Sequence, residues 1–488
     1  MKTSTLNSKA GTSASPWFCG ADFPAALRRG ACMIALLPVL ATAQSSDPFG
    51  TLAAVPPLTG VRSTGPAPCQ PTETGQPLNL IDVVDLALCN NPRTREAWAY
   101  ARAQAAQVGV AQAAYLPSVS ASVTASRNRS EATRNNDPFS QQTAGLNLSY
   151  VLYDFGARAA NLENARQLFA AAAASRDAAV QSIFLAAMQA FFLRHTADAV
   201  LEASRQSEKT SLESFNAAEA RYRVGAATPA DRLQARTAHA QAVLNRITAE
   251  GAVKTAQGLL ANTIGADPTR SPTLSPMPPA APESGFEADV AQLIETARLR
   301  RPDLAAAEAQ FRAAQAGIES AQASHLPTLS LGVNTARSHL SGQPSIDSSN
   351  IGLTLSIPIF SGFSTTYKVL TAEAQADVQA ARRDQVRLQV GLDVWNAYAA
   401  LTTATQSVKS ADELLESATL SERMAAGRYQ AGVGSILDLL TAQTALANAR
   451  LSRIQAGFNW YTARAGLAQA MGALDSNLLD ELSVKNRP

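Results

Sequence analysis

Four short segments of this chain alternate apolar and polar positions with a period of two. Val119, Ala121, Val123 and Ala125 alternate with Ser118, Ser120, Ser122 and Thr124, and Leu146, Leu148 and Tyr150 alternate with Asn147 and Ser149. Further on, Leu329, Leu331 and Val333 alternate with Thr328, Ser330 and Gly332, and Ile351, Leu353, Leu355 and Ile357 with Gly352, Thr354 and Ser356. Such alternation predicts strands with one aliphatic face and one small polar face. Between and after them the apolar positions change to helical spacing, as in Val180, Phe184, Ala187 and Phe191, or Leu388, Leu392, Trp395 and Ala399. The helical stretches run roughly from Ala157 to Tyr222 and from Thr366 to Tyr429. At 1.5 Å rise per residue each would be a rod of roughly 100 Å, wider than a single soluble domain.

The elements come in two copies. Ala111-Gln112-Ala113-Ala114-Tyr115-Leu116-Pro117 returns as Ala321-Gln322-Ala323-Ser324-His325-Leu326-Pro327, and Asn91-Pro92 as Arg301-Pro302, at an offset of 210. Arg221-Tyr222, Gly225, Asp231 and Gly265 return as Arg428-Tyr429, Gly432, Asp438 and Gly472 at an offset of 207. The three missing residues fall between these anchors, where a hairpin loop absorbs them. Each copy reads as a helix of about 23 residues stopped by Leu-Pro, two strands, a long helix, a glycine turn and a returning helix of about 34 residues. The boundaries expected are a signal peptide at 1–43, an extended segment at 44–78 and a first repeat at 79–266 with its hairpin at 117–153. A Pro-rich linker at 267–289, a second repeat at 290–475 with its hairpin at 327–360, and a tail at 476–488 complete the chain.

Four strands attached to two rods do not make a soluble domain. Closing a barrel takes about eight strands or more, and an open sheet in lipid would leave edge amides unsatisfied. The chain is therefore expected to oligomerise. Three copies give a homotrimeric twelve-stranded β-barrel continuous with a long α-helical barrel, the aliphatic face toward the lipid bilayer and Ser, Thr and Gly lining a wet lumen. The fold class expected is mostly α with a transmembrane β-barrel. A conduit is what such an architecture provides.

Composition narrows the partners. The formal net charge is +2 and charged residues are 16% of the chain, which removes the basic field that nucleic-acid binding requires. Arg28 and Arg29 precede the apolar run Ala31 to Leu40, and Ala41-Thr42-Ala43 offers small residues for cleavage, so the N-terminus reads as a secretory signal. The run is too short for a membrane anchor. Cleavage leaves Cys69 and Cys89 of the four cysteines; in an exported chain the pair reads as a disulfide, the alternative being two free thiols. Catalytic and cofactor signals are missing. His195, His239, His325 and His339 form no HExxH pair and read as solvated helix or loop residues. Gly432-Val433-Gly434 lacks the third glycine and preceding strand of a nucleotide loop. Trp98, Trp395 and Trp460 read as packing residues.

The order of these motifs resembles one family. The doubled helix–strand–strand–helix plan, the Leu-Pro before each first strand, Tyr153-Asp154-Phe155-Gly156, Phe360-Ser361-Gly362 and the Tyr-x-x-Gly turns are similar to the TolC family of outer-membrane factors over about residues 78 to 475. The resemblance implies a homotrimeric exit duct in the cell outer membrane with its helical part in the periplasm. It also implies a periplasmic adaptor protein and an inner-membrane ABC or proton-driven transporter as partners, for type I protein secretion or small-molecule efflux. The absence of a lipid-attachment cysteine and the Cys69/Cys89 pair look like the secretion branch, including the CyaE type. In such channels the tips of the two helix–turn–helix units close the periplasmic end and meet the adaptor. Position by position this marks Tyr222, Gly225 and Asp231, and Tyr429, Gly432 and Asp438. The chain departs from the pattern at Gly434, where an inter-subunit arginine is expected, and at Thr441, where a second aspartate is expected, which leaves Arg232 or Arg428 to hold the closed state. Thr228-Pro229-Ala230-Asp231 and Ser435-Ile436-Leu437-Asp438 also have the form of helix capping boxes, which accounts for both aspartates without a gate. Two rival classes are a trimeric adhesive coiled coil, disfavoured by the two hairpins, and an exported enzyme, which lacks a convergent polar cluster.

Overall fold

A computed structural model describes residues 47–56, 77–129, 139–269, 272–276 and 289–474. The signal at 1–43, Cys69, the tail at 476–488 and most of the linker lie outside the described residues. Asp47–Gly50 form a turn of their own, closed by the Gly50 amide on the Asp47 carbonyl. The features below belong to the unit that begins at Thr51.

The first repeat comprises α1 (Leu80–Asn90), α2 (Pro92–Ala113), β1 (Ser118–Asn128), β2 (Phe139–Tyr153), α3 (Ala157–Arg223) and α4 (Pro229–Thr263). The second comprises α5 (Val290–Arg300), α6 (Pro302–Ala323), β3 (Thr328–Leu340), β4 (Ile346–Ser356), α7 (Ser364–Gln430) and α8 (Ile436–Ala470). The helices of α1 and α2 map onto α5 and α6 with an offset of 210 at both ends, and those of α3 and α4 onto α7 and α8 with an offset of 207 at both ends. The repeat is therefore kept to the residue on both sides of the hairpins. Both α3 and α7 are 67 residues long, roughly 100 Å of helix.

Each opening helix is split by a proline, which supplies no amide at the first turn of α2 or α6. The two copies stabilise that break differently. Asn91 donates from Nδ2 to the Thr263 carbonyl at 3.1 Å, whereas Arg301 reaches Asp393 on α7 at 2.8 Å and Asp303 at 2.6 Å. Burial pushes the Asp303 carboxyl up, but the Arg301 guanidinium outweighs it and holds the group below its usual range. Glycine ends each returning helix in the left-handed region, Gly265 at φ +72° and Gly472 at φ +69°. A Cβ on Gly265 would lie 2.8 Å from the Asn90 carbonyl oxygen, and one on Gly472 would lie 3.1 Å from Arg300. Glycine here serves both the turn and the close approach.

The sheet runs β1-β2-β3-β4, antiparallel throughout. Its register aligns Val119, Leu148, Val333 and Ile351 in one row and Ser118, Ser149, Gly332 and Gly352 in the next, so the predicted faces are continuous across four strands. The strand ends fall inside the expected hairpin limits because Ile357 to Phe360 leave the ladder. At the foot of the hairpins Tyr153 packs edge-on to Phe155 at 4.7 Å, and Phe360 to Phe363 at 5.5 Å. Aromatic pairs at this level are the side chains a membrane–water boundary selects. Phe155-Gly156 and Gly362-Phe363 all have positive φ, which turns the chain from strand to rod.

The rods are held by small residues. In α3 Ala190, Ala197, Ser204, Ser211 and Ala218 are buried at every seventh position, as are Ala235, Ala242, Ala249 and Ala256 in α4. Ala404, Ala411 and Ala418 in α7 and Ala442, Ala449 and Ala456 in α8 repeat the pattern. A seven-residue repeat of buried positions is the coiled-coil period, and alanine lets the helices approach closely. The Ser204 and Ser211 hydroxyls donate to the Val200 and Glu208 carbonyls at 2.8 Å, so neither buried hydroxyl is left without an acceptor. The largest core lies at mid-rod, where Val84 of α1, Phe184, Met188 and Phe192 of α3, Leu260 of α4, Val408 of α7 and Tyr461 of α8 meet. Leu78 pairs with Leu274 beside it, so the linker is tied to the segment before α1.

Candidate functional site at the hairpin tips

The far ends of the rods carry the residues that the sequence singled out. At the first tip the Gly225 amide donates to the Tyr222 carbonyl at 3.0 Å and the Ala226 amide to Arg221 at 2.8 Å, with Gly225 at φ +72°. At the second, the Gly432 amide donates to Tyr429 at 3.1 Å and the Val433 and Gly434 amides both donate to Arg428 at 3.0 Å. Left-handed glycine closing the last carbonyls is how these helices end.

Both aspartates are capping residues. Asp231 Oδ2 accepts from the Thr228 amide and hydroxyl at 2.9 Å, and Asp438 Oδ2 from the Ser435 amide at 3.4 Å. The Asp231 and Asp438 amides in turn donate to the Thr228 and Ser435 hydroxyls, which completes a capping box at each tip. Asp438 is exposed and Asp231 partly so. The two tyrosines differ. Tyr429 is buried in a small core with Ala218, Ala235, Ile436, Leu439 and Leu440. Tyr222 lies half-buried under the Arg232 guanidinium, 4.7 Å from the ring, and Glu219 sits 3.8 Å from Arg232 and 3.3 Å from Arg223.

Sequence reasoning pointed to Arg232 or Arg428 and missed Arg221. Its guanidinium stands 4.1 Å over the Tyr429 ring and donates to the Tyr429 carbonyl at 2.6 Å, joining the end of α3 to the end of α7. The one signal for it in the sequence is that Arg221 is the repeat mate of Arg428.

Elsewhere, two histidines correct their expected solvation. His195 is half-buried, 4.6 Å from Phe191; burial and the Arg194 charge lower its pKa, and a backbone hydrogen bond with Ser275 opposes them. His239 is also half-buried and meets the Ser211 hydroxyl at 3.3 Å. Trp460 is buried, Trp98 donates to the Pro56 carbonyl at 2.9 Å, and Trp395 is 55% exposed on the same face of α7 as Leu388 and Leu392. Cys89 lies in α1 and is disulfide-bonded. Among the described residues no group of His, Cys, Asp and Glu is arranged to hold a metal, and no helix is long and apolar enough to cross a membrane.

An alternating sheet with an aromatic foot, carried on paired rods with capped tips, is the architecture of a membrane-channel subunit. Similarity to known proteins makes this specific. The outer membrane efflux protein family matches residues 83–266 and again 293–473, one match for each repeat, and the chain belongs to that family. It is 32% identical over 418 residues to protein CyaE of Bordetella pertussis, covering 85% of this chain and 88% of the relative. It is 28% identical over 417 residues to the probable efflux pump outer membrane protein TtgC of Pseudomonas putida, covering 79% and 83%. Among solved structures, a membrane protein from Pseudomonas aeruginosa aligns with TM-score 0.73 at 27% identity, covering 80% of this chain and 93% of that one. The CmeC outer membrane channel of Campylobacter jejuni shares the fold at TM-score 0.73 and 21% identity, covering 83% and 89%. The protein is an outer-membrane exit duct for secretion or efflux, and its family is one of transport channels rather than enzymes.

Proposed function

We propose that three copies of this chain assemble into the outer-membrane exit duct of a tripartite export machine, with a twelve-stranded barrel in the membrane and an α-helical barrel below it. The observation that carries this reading is the open four-stranded sheet. Strands β1 and β4 are its edges, and their free ladder groups cannot be left in hydrocarbon. A periplasmic adaptor and an inner-membrane ABC or proton-driven transporter would supply cargo at the tips.

The repeat predicts the seam. If β4 meets β1 of the next copy as β2 meets β3, the pairing of Leu148 with Val333 becomes Leu355 with the neighbour's Val123, both on the aliphatic face. Directly opposed residues lie about 5 Å apart, within disulfide reach. Light scattering in detergent should give three times the mature mass, and the Leu355→Cys/Val123→Cys variant should oxidise to a covalent trimer. A folded monomer, or a trimer in which this pair never cross-links, counts against the arrangement.

We also propose Cys69 as the partner of Cys89. The bridge would close a loop of about 20 residues, on the order of 3 kcal/mol in the chain-entropy account. Alkylation of unreduced, denatured protein should leave both thiols unmodified by mass; two added alkyl groups would exclude the bridge.

The tips are then the periplasmic mouth. Three copies set Asp231 and Asp438 in rings around the axis, with Tyr222, Gly225, Tyr429 and Gly432 shaping the turns that carry them. Each cap uses one carboxylate oxygen, Oδ2, so capping and gating are compatible.

A further inference from the structure

Within one subunit, Arg221 clamps Tyr429. The guanidinium lies over the ring at 4.1 Å and donates to the main-chain carbonyls of Tyr429 and Gln430 at 2.6 and 3.4 Å. This contact joins the first hairpin to the second across 208 residues of chain. Both its partners have repeat mates at the offset of 207: Arg221 maps onto Arg428, and Tyr429 onto Tyr222. The mates do not form the equivalent pair within the subunit. The Arg428 side chain is exposed and has no hydrogen bond or ion pair among the described residues.

We propose that Arg428 clamps Tyr222 of the adjacent copy, so that the closed mouth is ringed by six Arg–Tyr clamps, three within subunits and three between them. The inference rests on the trimeric duct proposed above. The second hairpin of one subunit meets the first hairpin of the next as the first meets the second within a subunit, because the rods repeat to the residue. The receiving side is prepared in three respects. The Tyr222 carbonyl takes the Val224 and Gly225 amides just as the Tyr429 carbonyl takes those of Ala431 and Gly432, and the Tyr429 carbonyl still accepts from Arg221. Tyr222 is half-buried, with Arg232 over its ring, at the position where Leu439 packs in the core around Tyr429. Glu219, set between Arg223 and Arg232, puts a carboxylate at this tip that offsets part of the charge a further guanidinium would bring.

The giving side is prepared as well. A Cβ on Gly434 would lie 3.0 Å from Arg428 Cβ and 3.1 Å from its carbonyl carbon. The second turn therefore folds directly onto Arg428, and a side chain at residue 434 would fit only if Arg428 gave way by a few tenths of an ångström. The cation that this tip offers to a neighbour is Arg428. A guanidinium is suited to the role, since it stacks on an aromatic face while its fork donates to carbonyl oxygens.

Two measurements test the clamp. In planar bilayers Arg428→Ala should raise open-state occupancy about tenfold or more, the factor that one charge-assisted hydrogen bond is worth. Arg221→Ala should do the same, and Arg428→Lys should rescue only in part. Tyr222→Phe, which keeps ring and carbonyl, should stay closed. Separately, a short bismaleimide should link Arg428→Cys/Tyr222→Cys between subunits, giving a covalent trimer on denaturing gels that neither single variant gives. If light scattering and the Leu355–Val123 cross-link establish the trimer but Arg428→Ala gates as wild type, or the tip cross-link forms only within a chain, the clamp is refuted and the duct stands. Absence of the trimer removes both.

Discussion

Gly265→Ala will destabilise the protein by about 3 kcal/mol, and Gly472→Ala will do so by somewhat less. A left-handed backbone costs an ordinary residue about 1–2 kcal/mol, and Gly265 sits at φ +72°. The added methyl would also stand 2.8 Å from the Asn90 carbonyl oxygen, which belongs to backbone and cannot swing aside. At Gly472 the corresponding approach is 3.1 Å, so the steric part is smaller. Gly258 is the internal control. It lies within α4 with nothing inside 4 Å of an added methyl, and alanine there should stabilise the helix by about 0.5–1 kcal/mol. Thermal melting followed by circular dichroism at fixed protein concentration should rank the four proteins Gly258→Ala, wild type, Gly472→Ala, Gly265→Ala. Equal melting of Gly265→Ala and wild type would show that the end of the returning helix is not pinned to the break between α1 and α2.

The second large effect is expected in conduction. Rings of carboxylates in a narrow mouth attract cations, and they offer oxygen ligands to hard multivalent ions. The wild-type pore should be cation-selective and blocked from the periplasmic side by multivalent cations. Replacing Asp231 and Asp438 by asparagine should weaken both properties strongly. The capping boxes give this experiment a second reading. Asn retains an acceptor for the Thr228 or Ser435 amide but loses the charge at the third helical position, worth roughly 0.3–1 kcal/mol per tip. A double variant that melts earlier yet conducts and blocks as wild type would reduce the aspartates to caps.

How much of this was legible in the chain depends on how local the cause is. Period-two alternation sets the faces of all four strands, and the observed rows follow it across the aliphatic band. Proline and left-handed glycine likewise declare the ends of helices from within a few residues. The Arg221–Tyr429 contact was invisible because it joins residues 208 apart through the packing of two hairpins. The alanine heptads were faint for another reason: alanine carries little hydropathy, so a buried Ala242 and an exposed alanine look alike in sequence. Leu388, Leu392 and Trp395 show the converse: they lie in α7 as their spacing implies, yet they are 74%, 51% and 55% exposed in the subunit. A pattern identifies a face to be covered but not what covers it.

The seven-residue spacing of buried small residues makes the rods a graduated ruler. One residue inserted near the start of α3 would rotate everything beyond it by about 100° and carry Ser204, Ser211 and Ala218 out of the seam. Because α3 runs beside α2, α4, α6 and α8 in turn, a change in its length has to be matched in the helices that share its seams. The depth of the duct is thus quantised, changing in whole heptads or not at all. By contrast, the three-residue difference between the copies falls in the hairpin region, where no seam has to stay in phase. The distance this conduit spans is written in its alanines.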